Sequence, residues 1–255
     1  MLNQKEVTVG RLNRKGNWLT ASLAVVFGLA GSAGADNNPI PGFSSLQDLS
    51  ESSGWEALEF PKIDQHSRYE LVTDGDRQVV RAQTSGGASG LITRLDLEPG
   101  DALILRWRWK VSNVYDQGNA RAKSGDDYPA RIYVAFEFEK DKAGFFERAK
   151  RSAVEVLFGE TLPGNALNYI WANQLPVDNI VANPYTDQTM MIAVNSGNEQ
   201  VGQWVTVERD IVADYRRAFG EAPPRLVGIA IMSDSDNTGE SATAWYGDLE
   251  LVTGE

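Results

Sequence analysis

Apolar residues recur at every second position in short stretches along most of this chain, and glycine, proline, asparagine and aspartate separate those stretches. The clearest runs over 102–111. There Leu103, Leu105, Trp107, Trp109 and Val111 share one face, and Ile104, Arg106, Arg108 and Lys110 share the other. Two indoles on one strand could stack on sugars, but their apolar neighbours on the same face assign them to a core. The basic face predicts pairing with acids on adjacent strands, Glu137 or Glu139 among them. A second run places Ile132, Val134, Phe136 and Phe138 in one row and Arg131, Tyr133 and Glu137 in the other. It follows an acidic turn, Gly125-Asp-Asp-Tyr-Pro129, so a polar loop feeds a strand whose second face carries Arg and Tyr.

Strand patterns also cover 55–60, 68–73, 77–83, 91–97, 167–172, 189–194, 204–210, 226–232 and 242–252. Asp74-Gly75-Asp76 is a hairpin turn by its Asp-Gly signal, and Asn195-Ser-Gly-Asn198 is the turn between the strands over 189–194 and 204–210. Helical spacing appears twice. It links Phe145, Phe146, Ala149, Ala153, Val156 and Leu157 over 143–158, and it covers 211–219, closed by Gly220. The pattern predicts an all-β chain, an antiparallel β-sandwich or jelly roll, with two short covering helices.

Residues 1–35 read as a signal peptide: Arg11, Arg14 and Lys15 precede an apolar run over 18–30, and Ala33-Gly34-Ala35 is a small-x-small cleavage site. The mature chain then begins at Asp36 with a polar lead over 36–53, followed by one domain over 54–255, and the protein is exported to the periplasm or secreted. There are no cysteines and one histidine, His66, which excludes disulfides, thiolate chemistry and two-histidine metal motifs. The net charge is −11, and removing residues 1–35 leaves 20 basic and 34 acidic residues. Such a field repels phosphate backbones and anionic lipid, so nucleic acid is excluded as a partner. No apolar run after residue 35 is long enough to span a bilayer.

Candidate chemistry gathers in a few segments. Asp126, Asp127, Arg131, Tyr133, Asn168, Trp171, Tyr185 and Asp248 are the residue types that bind glycans: aromatic faces stack on sugar C–H surfaces, while Asp, Asn and Arg read hydroxyls. Asp234, Asp236 and Thr238 imitate the opening of a calcium loop, but position twelve is Trp245 where a bidentate Glu is required. Two readings of that loop stand: a calcium site built from Asp234, Asp236, the Thr238 carbonyl and an acid from elsewhere, or an Asx-rich turn whose carboxylates bond nearby N–H groups. Acid pairs such as Asp127 and Asp234 also admit a glycosidase or lyase.

Gly125-Asp-Asp-Tyr-Pro-Ala-Arg-Ile-Tyr-Val-Ala-Phe136, Asn168-Tyr-Ile-Trp-Ala172, Asn183-Pro-Tyr-Thr186, Asp214-Tyr-Arg216 and Ile229-Ala-Ile-Met-Ser-Asp-Ser-Asp-Asn-Thr-Gly239 with Tyr246-Gly-Asp248 together resemble the domain of unknown function 3047 family. The resemblance covers nearly the whole chain after residue 35, implies exported bacterial proteins, and brings no catalytic residues with it. The strand pattern is also similar, at the level of fold, to galactose-binding-like carbohydrate modules. These readings lead to an exported, non-catalytic protein that binds a glycan or related envelope polymer. The alternatives are a carbohydrate-active enzyme using acidic residues and an envelope assembly or scaffold protein. N-terminal sequencing of the exported protein is expected to read from Asp36; a first residue of Met1 would show that the segment is retained as an anchor.

Overall fold

The computed structural model of the protein describes residues 38–139, 141 and 164–253. Among these residues lie twelve strands, β1 (Glu56–Leu58), β2 (Arg68–Asp74), β3 (Arg77–Ser85), β4 (Ala88–Leu97), β5 (Leu103–Val111), β6 (Arg131–Phe136), β7 (Ala166–Ala172), β8 (Ile180–Asn183), β9 (Thr186–Ser196), β10 (Val205–Asp210), β11 (Leu226–Asp234) and β12 (Ser241–Thr253), and one α-helix, α1 (Ile211–Phe219). A seven-stranded sheet has the order β1-β4-β11-β6-β7-β9-β8, and a five-stranded sheet has the order β10-β5-β12-β3-β2. The two sheets pack face to face as a mostly-β sandwich. The pairings are antiparallel except β7 with β9, which run parallel because β8 intervenes in sequence and becomes the edge strand beside β9. A wholly antiparallel arrangement was the expectation; the parallel β7–β9 pair departs from it through the short edge strand β8, which the apolar pattern does not announce.

The alternation in β5 supplies the core. Leu103, Leu105, Trp107, Trp109 and Val111 are all buried, and Trp107 stacks on Tyr169 of β7 with ring centroids 5.4 Å apart. Trp109 lies 6.0 Å from Trp171 and donates its indole N–H to Asn195 Oδ1 at 2.8 Å, so its polar atom is satisfied inside the core. On the outer face the basic residues find other partners than expected. Arg106 donates to Glu208 on neighbouring β10 at 2.5 Å, and Lys110 donates to Asp74 at 2.6 Å while lying over the rings of Trp204 and Trp245. Glu137 belongs with the other sheet, where Arg225 is 3.9 Å away.

Two connections also differ from the sequence pattern. The Asn195-Ser-Gly-Asn198 turn does not close a hairpin: β9 is in the seven-stranded sheet and β10 in the five-stranded one, so the chain crosses between layers there. The polar lead is not free of the fold. Ile40 and Phe43 are buried, and the Asn38 amide bonds the β12 backbone at Leu249 O and Leu251 N. The helix expected over 143–158 lies outside the described residues.

Helix α1 starts and stops on ordinary capping chemistry. The Asp210 carboxylate accepts from the backbone N–H groups of Val212 and Ala213, and Gly220 adopts φ 79° and returns its N–H to Arg216 O. It is pinned to the sheet by Asp214. That carboxylate, 2% exposed, accepts from the Tyr169 hydroxyl at 2.9 Å and from Arg209 Nε and Nη2 at 2.7 and 2.5 Å. Burying an anion is tolerable only with such partners. Asp214→Ala would leave the Tyr169 hydroxyl and Arg209 Nε without their acceptor and is expected to cost about 3–5 kcal/mol in urea unfolding. The exposed pair at Arg106 sets the contrast, with Arg106→Ala expected to cost under about 1 kcal/mol.

Candidate functional site

Period-two alternation in β6 sends Ile132, Val134 and Phe136 into the core and Arg131 and Tyr133 to the opposite face of the seven-stranded sheet. Arg131 pairs in register with Met232 of β11. Two residues further along β11, Asp234 takes the Arg131 guanidinium through Nη2 and accepts the Tyr128 N–H at 3.3 Å through its other oxygen. Asp234 has no exposed surface and Arg131 is 4% exposed. The guanidinium carbon sits 5.1 Å from the Tyr128 ring centroid and 5.5 Å from that of Tyr133, so two aromatic faces complete its surroundings. Burial by itself would lower its pKa; Tyr133, Asp126 and Tyr128 outweigh that and hold it raised.

Three loops close over this pair. The loop before β6 turns at Gly125, where a Cβ would come within 2.6 Å of Asn119 N and 2.7 Å of Gln117 O, so only glycine fits. It presents Asp126 and Asp127. Asp126 accepts from Asn183 Nδ2 at 2.6 Å; Asn183 Oδ1 accepts the Tyr185 N–H; the Tyr185 hydroxyl donates to Asn237 Oδ1 at 2.6 Å; and Asn237 Nδ2 returns to Asp127 at 2.9 Å. The ring of hydrogen bonds thus runs through the 125–130, 183–186 and 234–239 loops and back to its start. Asp127 also accepts the backbone N–H groups of Asn237 and Thr238, at 3.1 and 2.6 Å, so a carboxylate from a different loop holds the 234–239 turn.

Between these loops and the 60–63 segment lies an open groove of about 500 Å³, lined by Asp126, Arg131, Tyr133, Asn183, Tyr185, Asp234, Asp236 and Asn237 from the site and by Phe60, Pro61, Lys62 and Ile63 opposite. That size suits a small ligand or one to two sugar units. On its floor two groups lack partners. Asp126 Oδ1, Arg131 Nε and Arg131 Nη1 make no hydrogen bond of ordinary geometry, although all are shielded from solvent and the Tyr128 and Tyr133 side chains stand beside them. Arg131 Nη1 and Asp126 Oδ1 stand 4.0 Å apart, too far for a hydrogen bond. Burial raises the Asp126 carboxyl above its ordinary range, with Arg131 opposing, and burial followed by repulsion from Asp127 raises Asp236.

Of the residues the sequence singled out, Asp126, Asp127, Arg131, Tyr133, Tyr185, Asp234, Asp236 and Thr238 do come together here. Asp127 and Thr238 join the loops without lining the groove, and three residues lie away from the site. Asn168, opposite Tyr133 in register, is fully buried with neither amide atom bonded. Trp171 is in the core, its indole N–H bonded to Gly197 O. Asp248 holds the N-terminal segment by accepting the Ser44 N–H at 2.8 Å and the Ser44 hydroxyl at 2.5 Å. Asn237 and the 60–63 segment were missed: Asn237 reads as a generic turn residue, and a Phe-Pro-Lys-Ile connection carries no chemical signature.

Asp127, Asp234 and Asp236 each place an oxygen within 4.8 Å of the others, so an acid from another loop does join the Asp234 and Asp236 pair. An all-oxygen set suits a hard cation. Yet both Asp127 oxygens already accept N–H groups and Asp234 Oδ2 holds the Arg131 guanidinium, so a divalent ion would compete with a buried cation for the Asp234 carboxylate. These residues therefore fit calcium poorly.

A family model described as protein of unknown function (DUF3047) matches residues 53–250, most of the chain. The chain belongs to the DUF3047 family. No curated protein matches it. Among solved structures, this DUF3047 chain is similar to a Stig cyclase from Fischerella sp. TAU, at 12% identity and TM-score 0.40 over 86% of this chain and 98% of that one. It is similar to a CBM4 structure at 12% identity and TM-score 0.31, over 80% and 96% of the two chains. The third is the cellulose induced protein Cip1, at 9% identity and TM-score 0.35, over 80% and 94%.

Two outcomes follow for the DUF3047 site. Removing the Arg131 counter-ion by Asp234→Ala is expected to cost about 3–5 kcal/mol in urea unfolding, while Asp236→Ala, at an exposed position, costs under about 1 kcal/mol; equal costs would contradict the buried pair. The raised Asp126 pKa means the folded chain keeps its proton to higher pH than the unfolded chain, so this group's contribution to stability falls as pH rises from about 3.8 through the raised value. Asp126→Asn is expected to gain in melting temperature relative to the unaltered chain across that rise, and a difference independent of pH would contradict it.

Proposed function

We propose that the protein is exported and binds a glycan or related cell-envelope polymer, without cleaving it, in the groove over Arg131. The observation that carries the reading is the unpaired donor and acceptor on the groove floor. A buried carboxylate oxygen and a buried guanidinium N–H left without partners are costly, and 4.0 Å between them leaves both unsatisfied by each other. A hydroxyl accepts one hydrogen bond and donates another, so one sugar hydroxyl placed between them satisfies both groups at once. Tyr133 on the wall and Tyr185, 55% exposed at the rim, supply the aromatic surface on which a sugar ring packs. The hydrogen-bonded ring of Asp126, Asn183, Tyr185, Asn237 and Asp127 pre-sets the loops, so little ordering accompanies binding. In this reading the sandwich is a jelly roll of galactose-binding-like type, and its end loops are the binding surface.

One observation favours a carbohydrate-active enzyme as a second reading. Asp126 and Asp236 line one groove and burial raises both carboxyls, the direction in which a general acid is tuned. Release of reducing ends from a bound polymer, lost in both Asp126→Asn and Asp236→Asn, would establish it.

Affinity electrophoresis through gels loaded with different envelope polysaccharides tests the binding reading. Retardation by one polymer is expected, weakened about tenfold by Tyr185→Ala or Asp126→Ala and unchanged by Arg106→Ala on the far sheet. Migration that no polymer alters would refute it.

A further inference from the structure

We propose that the sugar preferred by this groove carries a protonated amine: a de-N-acetylated amino sugar rather than a neutral or acidic one. The inference rests on the glycan-binding reading and adds the class of ligand. It begins with the charges that face the groove. Asp126, Asp234 and Asp236 line it together with Arg131 and Lys62. Arg131 is matched by Asp234 in the buried pair, and Lys62 is exposed at the rim, where water screens it. Asp126, whose Oδ1 is 4.0 Å from Arg131 Nη1, and Asp236 thus add two further carboxylates to a groove that holds one buried cation.

Asp126 supplies the independent observation. It is 4% exposed, its Oδ2 is satisfied by Asn183, and its Oδ1 has no donor. An ammonium brings three N–H donors and a full charge to that oxygen, and a charge-assisted bond is about twice as strong as a neutral one. The hydroxyl next to the amine on a sugar ring can at the same time accept from Arg131 Nη1, which also lacks a partner. The Tyr133 ring favours a nearby cation through its negative face. An acidic sugar meets the opposite situation: its carboxylate could reach Arg131 Nε and Nη1 only by losing water beside Asp126, Asp234 and Asp236, three carboxylates that line the same groove.

Calorimetric titration of the whole chain with glucosamine, N-acetylglucosamine and glucuronate oligomers of equal length tests this. The glucosamine oligomer is expected to bind about tenfold more tightly than the N-acetylated one, with no binding of the glucuronate. Asp126→Asn, which keeps the side-chain shape, is expected to shrink the preference to about twofold or less. The preference itself is read on the unaltered chain, so a variant that does not fold leaves the test intact. Equal or tighter binding of the N-acetylated or glucuronate oligomer would overturn the amine inference and leave the glycan reading standing. Putrescine that competes as well as the glucosamine oligomer would also overturn it, because charge alone would then explain the binding. No binding by any oligomer would remove both.

Discussion

The buried pair of Arg131 and Asp234 is the constraint around which this end of the molecule is built. Two charges taken out of water are stable only when each finds the other and every remaining polar atom is answered. Here the pairing is made by strand register, since β6 and β11 are neighbours and Arg131 and Asp234 lie near adjoining ends of them. Tyr128 and Tyr133 flank the guanidinium, and the Tyr128 N–H answers the second oxygen of Asp234. Backbone is tied in as well: the Arg131 N–H reaches the Tyr246 hydroxyl, and that hydroxyl donates to Met232 O, so a residue of the five-stranded sheet braces the site from beneath. What the pair leaves unanswered is as informative as what it satisfies, because Arg131 Nη1 and Nε and Asp126 Oδ1 are the atoms a ligand can complete.

The acidic loops then divide their labour. Asp127 and Asp234 are structural anions, one capping a turn and one holding Arg131, whereas Asp126 and Asp236 carry raised carboxyls toward the groove. Adjacent residues of identical type, Asp126 and Asp127, therefore do different work, and the difference comes from where the backbone N–H groups of Asn237 and Thr238 fall. A cation site and an anion-bonded turn compete for the same oxygens, and the turn has taken them. The same economy appears at the other end of β7, where Asp214 is spent entirely on Tyr169, Arg209 and Arg217 to hold α1 in place.

Much of the fold was legible because period two is a strong signal when one face is buried. Trp107 and Trp109 could be assigned to the core from Leu103, Leu105 and Val111 beside them, and Gly220 marked the end of α1. The edge strand β8 and the crossing after β9 were not legible, since four residues carry little periodicity and a turn motif does not state which sheet comes next. For the site, Asp126, Arg131, Tyr185 and Asp234 stood out as residue types suited to a ligand or a cation, each in its own segment, and not as one group. Asp248 and Trp171 misled for a physical reason: a carboxylate that anchors Ser44 and an indole that fills a core look in sequence like those that bind ligands. Convergence of loops is set by long-range pairing, and local pattern does not contain it.

The proposed recognition turns on a ligand that completes Arg131 and Asp126 together. Nitrogen-15 NMR of the arginine side chains reads this directly, because a buried guanidinium gives slowly exchanging Nε–H and Nη–H signals that respond to a new acceptor. On saturation with a bound oligosaccharide, the account predicts that the signals lost in Arg131→Lys are the ones that shift most. Binding that leaves those signals in place while shifting the indole N–H signals of Trp204 or Trp245, on the outer face of the other sheet, would contradict it.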